Sequence, residues 1–203
     1  MRILITGGAG YIGSVLTNLA LQRGHTVTAV DALWFNEQIP LIHLNNPNYT
    51  FHKGDIGSTT LMEPLCENAD FIIHTAAVVG DPASKLFPEL TTEVNEKASI
   101  RLIKTAQKAG VKGFIFFSTC SNYGVANDLA TEDTPLQPLS LYAESKVNVE
   151  RYLMEKPQGL DGNWPTFYHL RGIATYAFRF NGERFYLKRL HKKIPRYFST
   201  RIV

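Results

Sequence analysis

Gly7-Gly8-Ala9-Gly10-Tyr11-Ile12-Gly13 is the stretch on which the reading of this 203-residue chain turns. It follows a short apolar run, Arg2-Ile3-Leu4-Ile5-Thr6, and opens Tyr11–Arg23, where Ile12, Val15, Leu16, Leu19 and Ala20 recur at helical spacing. Gly24 then closes the segment as a C-terminal cap. A glycine pattern by itself is weak, but between a strand and a helix it gains meaning. Gly7 allows a tight turn, Gly10 lets a pyrophosphate approach the backbone, and Gly13 lets helix and strand pack closely. The helix N-terminus stabilises the phosphate charge. The competing reading is an ordinary strand–helix turn. Thr26–Val30, β-branched and apolar, ends at Asp31, 18 residues past Gly13. A carboxylate there can accept hydrogen bonds from a ribose diol and repels a 2′-phosphate, which favours NAD over NADP. Tyr11 and Ile12, at the helix start, are grouped with the glycines as cofactor-facing.

Outward from this loop, further apolar strand candidates are Tyr49–His52, Phe71–His74, Gly113–Phe117 and Thr166–Leu170. Helical patterns lie between them at Thr59–Asn68, Thr92–Ala109 and Leu139–Glu155. Strands apolar on both faces and alternating with helices imply an α/β fold: a Rossmann-type, doubly wound parallel sheet with ligands beyond the C-terminal strand ends. Residues 1–165 are read as the NAD-binding domain, and Lys156–Pro165 as its clearest loop.

Composition narrows the class. The chain is 44% hydrophobic and 19% charged, ordinary for a globular protein. No stretch approaches the roughly 18 apolar residues of a membrane span, and no secretory signal is expected, because Met1–Thr6 runs straight into the glycine cluster. Cys66 and Cys120 are too few for a disulfide scaffold or a zinc site, so a reducing cytoplasm is expected. His25, His43, His52, His74, His169 and His191 lack metal-ligand spacing, and no metal is expected. Residues 1–165 hold 12 Lys+Arg against 17 Asp+Glu, a balance of −5, whereas residues 166–203 hold 9 against 1, a balance of +8.

Several motifs in order resemble the extended short-chain dehydrogenase/reductase family, the NAD-dependent nucleotide-sugar epimerases and dehydratases. The spacing Gly7-x-x-Gly10-x-x-Gly13 is that family's variant. Gly54-Asp55-Ile56 resembles the segment whose Asp and following apolar residue hold the adenine. His74-Thr75-Ala76-Ala77 resembles the fourth-strand motif that lines the cofactor, which makes Thr75, Ala76 and Ala77 candidate cofactor contacts. Asn95 resembles the family's structural Asn and is grouped with them. The match covers about residues 1–155.

Tyr142-Ala143-Glu144-Ser145-Lys146 sets a phenol and an ammonium four residues apart on one helical face. A nearby cation lowers a phenol pKa of about 10, creating a general base. A surface pair is the alternative, but the dinucleotide loop upstream favours the catalytic one. In the sequence Ser118-Thr119-Cys120-Ser121-Asn122-Tyr123-Gly124, comparison with the family assigns Thr119 as the hydroxyl that bonds the reacting sugar oxygen. Ser118 is the lesser candidate, and a turn-forming hydroxyl is the alternative role. Cys120 is expected to be a buried small hydrophobe. The family's 4,6-dehydratases carry acids just after the Thr, where this chain has Cys120 and Ser121. The resemblance therefore implies epimerisation of a nucleotide-linked sugar through a transient keto intermediate, with simple oxidation or reduction left open. It also implies a homodimer through Thr92–Ala109 and Leu139–Glu155.

Beyond Pro165 the resemblance thins. Thr166 and Leu170-Arg171 still resemble the sixth strand, and Thr175-Tyr176 resemble the family's Tyr-Gly after that strand, but Ala177 holds the glycine position. The usual substrate domain is expected to be largely missing. Three readings compete for the basic tail. It is a solvated extension, a nucleic-acid or acidic-partner surface (the least favoured), or non-homologous sequence left by a lost frame or early end. A truncated, non-catalytic NAD-binding module is the alternative function.

Overall fold

The computed structural model describes residues 1–34, 38–125, 130–131 and 134–155 in full, and the backbone of strands at 166–170, 177–180 and 183–186. β1 (Arg2–Thr6), β2 (Thr26–Asp31), β3 (Tyr49–Lys53), β4 (Phe71–His74), β5 (Gly113–Phe117) and β6 (Thr166–Leu170) form one sheet. The order is β3-β2-β1-β4-β5-β6, and every neighbouring pair is parallel. This is the doubly wound Rossmann arrangement expected from the alternation of strands and helices.

The apolar runs serve two cores because side chains on a strand alternate between faces. Ile3, Ile5, Val27, Ala29, Ile73 and Ile115 pack on one face against Leu16 and Ala20 of α1 (Tyr11–Gln22). Leu4, Val30, Ile72, Phe114 and Phe116 pack on the other. There they meet Met62 of α2 (Thr59–Glu67), Leu102 and Ile103 of α5 (Ser99–Lys108), and Val149 and Leu153 of α6 (Leu141–Glu155). From β1 the chain builds β2 and β3 on one side, then returns to build β4 to β6 on the other. The loops after β1 and β4 therefore diverge, and a crevice opens between them.

The helical expectations need three adjustments. Thr92–Ala109 is not one α-helix, because Thr92–Ala98 forms a wider π-type turn ahead of α5. Within it the Ser99 hydroxyl donates to the Val94 carbonyl at 3.2 Å, and Asn95 is drawn inward. Two short helices that the periodicity missed, α3 (Asp81–Leu86) and α4 (Pro88–Thr91), precede that turn. α6 starts at Leu141 rather than Leu139, because the Ser140 hydroxyl accepts the Ala143 N–H at 3.2 Å as an N-cap.

In the tail, β7 (Ala177–Phe180) and β8 (Glu183–Tyr186) pair antiparallel, with Ala177 opposite Tyr186 and Phe180 opposite Glu183. None of the three readings of the tail anticipated a hairpin, although Asn181-Gly182 is a hairpin signal in the sequence. The Lys156–Pro165 loop, Arg171, Thr175, Tyr176 and the chain after Tyr186 lie outside the described residues.

Candidate active site

The glycine loop is shaped by its neighbours on the sheet. Gly7 sits at φ +72°, and a Cβ there would meet the Ala76 nitrogen at 2.6 Å. A Cβ on Gly13 would land on the Gly7 carbonyl, so α1 meets β1 closely only with glycine in that place. The protein asks less of Gly10, which is exposed and whose added Cβ would meet only the Gly7 carbonyl, at 3.2 Å. What a side chain there would fill is the space in front of the loop. Gly10 is also the N-cap of α1, and no side chain caps it. The helix therefore presents its first N–H groups, an exposed Tyr11 and a half-buried Ile12 to that space.

Asp31 closes the other side. Its half-buried carboxylate accepts the Ala9 N–H at 3.0 Å through Oδ2 and the Leu33 N–H at 2.8 Å through Oδ1. These bonds tie the end of β2 to the glycine loop, and each oxygen retains a lone pair for a diol. Across the crevice, the Thr75 hydroxyl donates to the Thr6 carbonyl at 2.7 Å, and Ala76 and Ala77 continue half-buried along the wall. After β3, Asp55 is exposed and accepts the Gly57 N–H at 2.7 Å, while Ile56 is buried against Val78, Val94 and Ala98. Asn95 touches no open space. It is fully buried, its Oδ1 accepts the Val78 N–H at 2.7 Å, and its Nδ2 donates to the Val78 carbonyl at 2.9 Å. Its place in this structure is behind the wall, as a clamp on the chain after β4.

The three candidate catalytic side chains lie at the C-terminal end of β5. Thr119 is buried and caps a short 3-10 turn, Cys120–Tyr123, by accepting the Ser121 N–H at 3.2 Å. The bland turn-forming role is therefore real. It uses the hydroxyl oxygen and leaves the proton to donate. Tyr142, on the first turn of α6, is buried with its phenol against that hydroxyl. Lys146, one turn on and 2% exposed, donates to the Phe117 carbonyl at 3.0 Å, with Nζ 4.7 Å from the centre of the Phe116 ring.

Two expectations are corrected here. Lys146 does not lower the Tyr142 pKa. Burial raises it above its ordinary value, the Thr119 hydroxyl pulls it down, and Cys120 and Asp81 nearby add to the rise. The same desolvation brings the Lys146 ammonium down to about 7 against the opposing pull of Glu150, so at neutral pH it is only a partial cation. Cys120 is not a buried hydrophobe but an exposed free thiol, because the chain turns outward at once after Thr119.

Sequence reasoning gave His74 only a packing or lining role. His74 is fully buried between β1 and α5. Because the Ser99 hydroxyl donates to Val94, His74 Nε2–H donates to Ser99 Oγ at 2.8 Å, and Nδ1 accepts from Thr6 Oγ1 at 2.6 Å. Burial, with the Lys146 charge adding, holds its pKa at about 3, so it stays neutral. Sequence reasoning also missed Glu150 and Asn122. The available signal was a carboxylate at the apolar-face position four residues past Lys146. Among the described residues, no three His, Cys, Asp or Glu side chains cluster as a metal site, and no helix is long and apolar enough to cross a membrane.

Taken together, the open cradle before Gly10, the uncapped helix start and the Asp31 carboxylate fit a dinucleotide. Known proteins agree. The model of the NAD dependent epimerase/dehydratase family matches residues 3–196, past the point where the sequence loses the family's spacing. The chain is 31% identical over 180 residues to the UDP-glucose 4-epimerase of Lactobacillus helveticus, covering 86% of this chain and 53% of that protein. It is 30% identical to the 3 beta-hydroxysteroid dehydrogenase/Delta 5-->4-isomerase of Mycobacterium tuberculosis, over 79% of this chain and 44% of that one. The crystal structure of the Thermus thermophilus UDP-glucose 4-epimerase in complex with NAD superimposes with a TM-score of 0.75 at 30% identity, covering 84% of this chain and 54% of that one. The chain thus spans about half the length of the curated relatives it matches. It belongs to the NAD dependent epimerase/dehydratase family, and NAD is the cofactor that its glycine loop and Asp31 are shaped to take.

Proposed function

We propose that this chain carries the cofactor half and the acid–base group of an enzyme that epimerises a nucleotide-linked sugar through a transient keto intermediate. The observation that carries this reading is the convergence of Thr119, Tyr142 and Lys146 at the end of β5, beside the crevice. Gly7, Gly10, Gly13 and the start of α1 would hold the NAD pyrophosphate, and Asp31 the ribose. Asp55, Ile56 and the Thr75–Ala77 wall would flank the rest. When bound, NAD supplies a hydride acceptor and donor together with a positive charge.

The chain's own residues then have distinct duties. Thr119 Oγ1 accepts from Ser121, and its proton, which faces the Tyr142 phenol, would turn to bond a sugar oxygen. Tyr142 takes the hydroxyl proton during oxidation and returns it during reduction. Its raised pKa keeps it protonated until positive charge stands near, and the nicotinamide cation of bound NAD would supply that charge. Cys120 and Ser121, where the family's dehydratases carry acids, favour epimerisation over elimination. A homodimer and a cytoplasmic setting, in which both free cysteines stay reduced, belong to the same proposal.

Thermal unfolding with NAD, then with NAD plus UDP-, dTDP-, GDP- and CDP-linked sugars, tests this. The expected result is a rise with NAD and a further rise with one sugar. A ligand at a hundredfold excess over Kd adds about 2.7 kcal/mol. A rise with NAD alone would favour the second reading, a non-catalytic NAD-binding module.

A further inference from the structure

Glu150 stands in a place where a carboxylate is costly. It is 1% exposed and lies on the buried face of α6, one turn beyond Lys146 and two beyond Tyr142. Burying a charge without partners costs several kcal/mol, so such a group persists where hydrogen bonds and opposite charge compensate it. One hydrogen bond comes from Asn122, whose Nδ2 donates to Glu150 Oε1 at 2.8 Å. The same nitrogen donates to Ser118 Oγ at 3.0 Å. Asn122 is itself fully buried in the turn that Thr119 caps, and its carbonyl accepts the Gln137 N–H at 2.8 Å. In this orientation Asn122 Oδ1 has no partner among the described residues. An amide left half-satisfied in this way is oriented by its strongest partner, and here that is the charged carboxylate.

We propose that Glu150 is a positioning residue for the Thr119–Tyr142–Lys146 group: through Asn122 it holds the turn that carries Thr119, and its buried charge stabilises the ammonium of Lys146 on the same face of α6. The inference rests on the reading of those three side chains as the chemical group of the site. The pull of Glu150 on the Lys146 pKa agrees with it. The other groups around Lys146 are Tyr142 on its own helix, His74 from β4, and the Phe116 ring and Phe117 carbonyl from β5. Cys120 and Asp81 act on Tyr142. None of these is an acid in contact with the ammonium, so the charge of Glu150 is not duplicated within this set.

The test is an NMR titration of the Lys146 side-chain carbon next to Nζ in the full chain, without cofactor or sugar, assigned by its loss in Lys146→Met. The parent is expected to titrate near 7. Glu150→Gln, which keeps the shape, should move that midpoint down. Asn122→Ala should shift the backbone amide signals of residues 118–123 while leaving the Lys146 midpoint in place. An unchanged midpoint in folded Glu150→Gln overturns the electrostatic role, and unmoved turn signals in Asn122→Ala overturn the positioning role. If Glu150→Gln does not fold, the double variant with Lys146→Met decides. Recovery of stability supports the pairing, and losses that simply add overturn it. Because no turnover is read, failure here leaves the proposed function standing, and a chain that does not epimerise leaves this result standing.

Discussion

At the N-terminal edge of the sheet, Asp70 accepts the Arg2 backbone N–H at 2.8 Å and its guanidinium at 3.1 Å, with Lys112 at 3.5 Å. At the C-terminal edge, Lys146, Glu150 and His74 are withdrawn from water beside Tyr142. Both edges bring charged or titratable groups together, yet the consequences differ. This trio stitches β1, β4 and the approach to β5 into register, and hydrogen bonds from the Arg2 side chain and backbone N–H, with the Arg2 and Lys112 charges behind them, hold the Asp70 carboxyl well below the usual range. Solvent screens such contacts, so their contribution is modest. The buried group is scarcely screened. Lys146 and His74 titrate far below their ordinary values there, while the Tyr142 phenol is pushed above its own. One edge uses charge for alignment, and the other shifts the titration of the groups it buries.

Substitutions can break this contrast in order of size. Tyr142→Phe at the buried edge should lower kcat of the proposed reaction by at least about 10²-fold, the lower range for a lost acid–base group. Its NAD affinity, read by titration calorimetry, should stay within a few fold. Equal turnover in parent and variant would end the Tyr142 assignment.

Next is the cradle. Gly13→Ala drives a methyl into the Gly7 carbonyl and should cost about 2 to 3 kcal/mol in urea unfolding, with loss of the NAD-dependent rise in Tm. A variant of parental stability would mean that α1 can move away from β1 freely.

The pH dependence sharpens the comparison further. Lys146 has a folded pKa lowered to about 7 from 10.5, so the unfolded chain binds more protons between those values. Stability from this group therefore rises with pH across that window. Subtracting the Lys146→Met profile from the parental one should show that rise. It should be clearest between about pH 7 and 9, below the range where Cys66 and Tyr49, both pushed up to about 12, act in the opposite sense. A flat difference would return Lys146 to the ordinary lysine range.

The smallest effect belongs to the exposed edge. Asp70→Asn should cost about 1 kcal/mol near neutral pH. Because the folded-state pKa is depressed, that advantage is present above the ordinary carboxylate value and disappears in acid as the parental carboxylate takes up a proton. A loss as large as that of Gly13→Ala would erase the distinction between the edges.

The range of the forces involved separates the legible from the illegible. The sheet, its parallel order and the glycine turn were readable in the sequence because short apolar runs, period-3.6 patterns and the φ demands of Gly7 act within a few residues. So was the spacing of Tyr142 and Lys146 on one helical face. What only the tertiary structure decided depends on which distant segments share a desolvated space. Contacts between segments well apart in the chain made Asn95 a clamp on Val78, set Asn122 against Glu150 and put Lys146 on the Phe117 carbonyl. The direction of the Tyr142 shift is of this kind too. A neighbouring lysine four residues away predicts a lower pKa in water, but once helix, sheet and turn close around the phenol, the burial cost sets the sign and raises it.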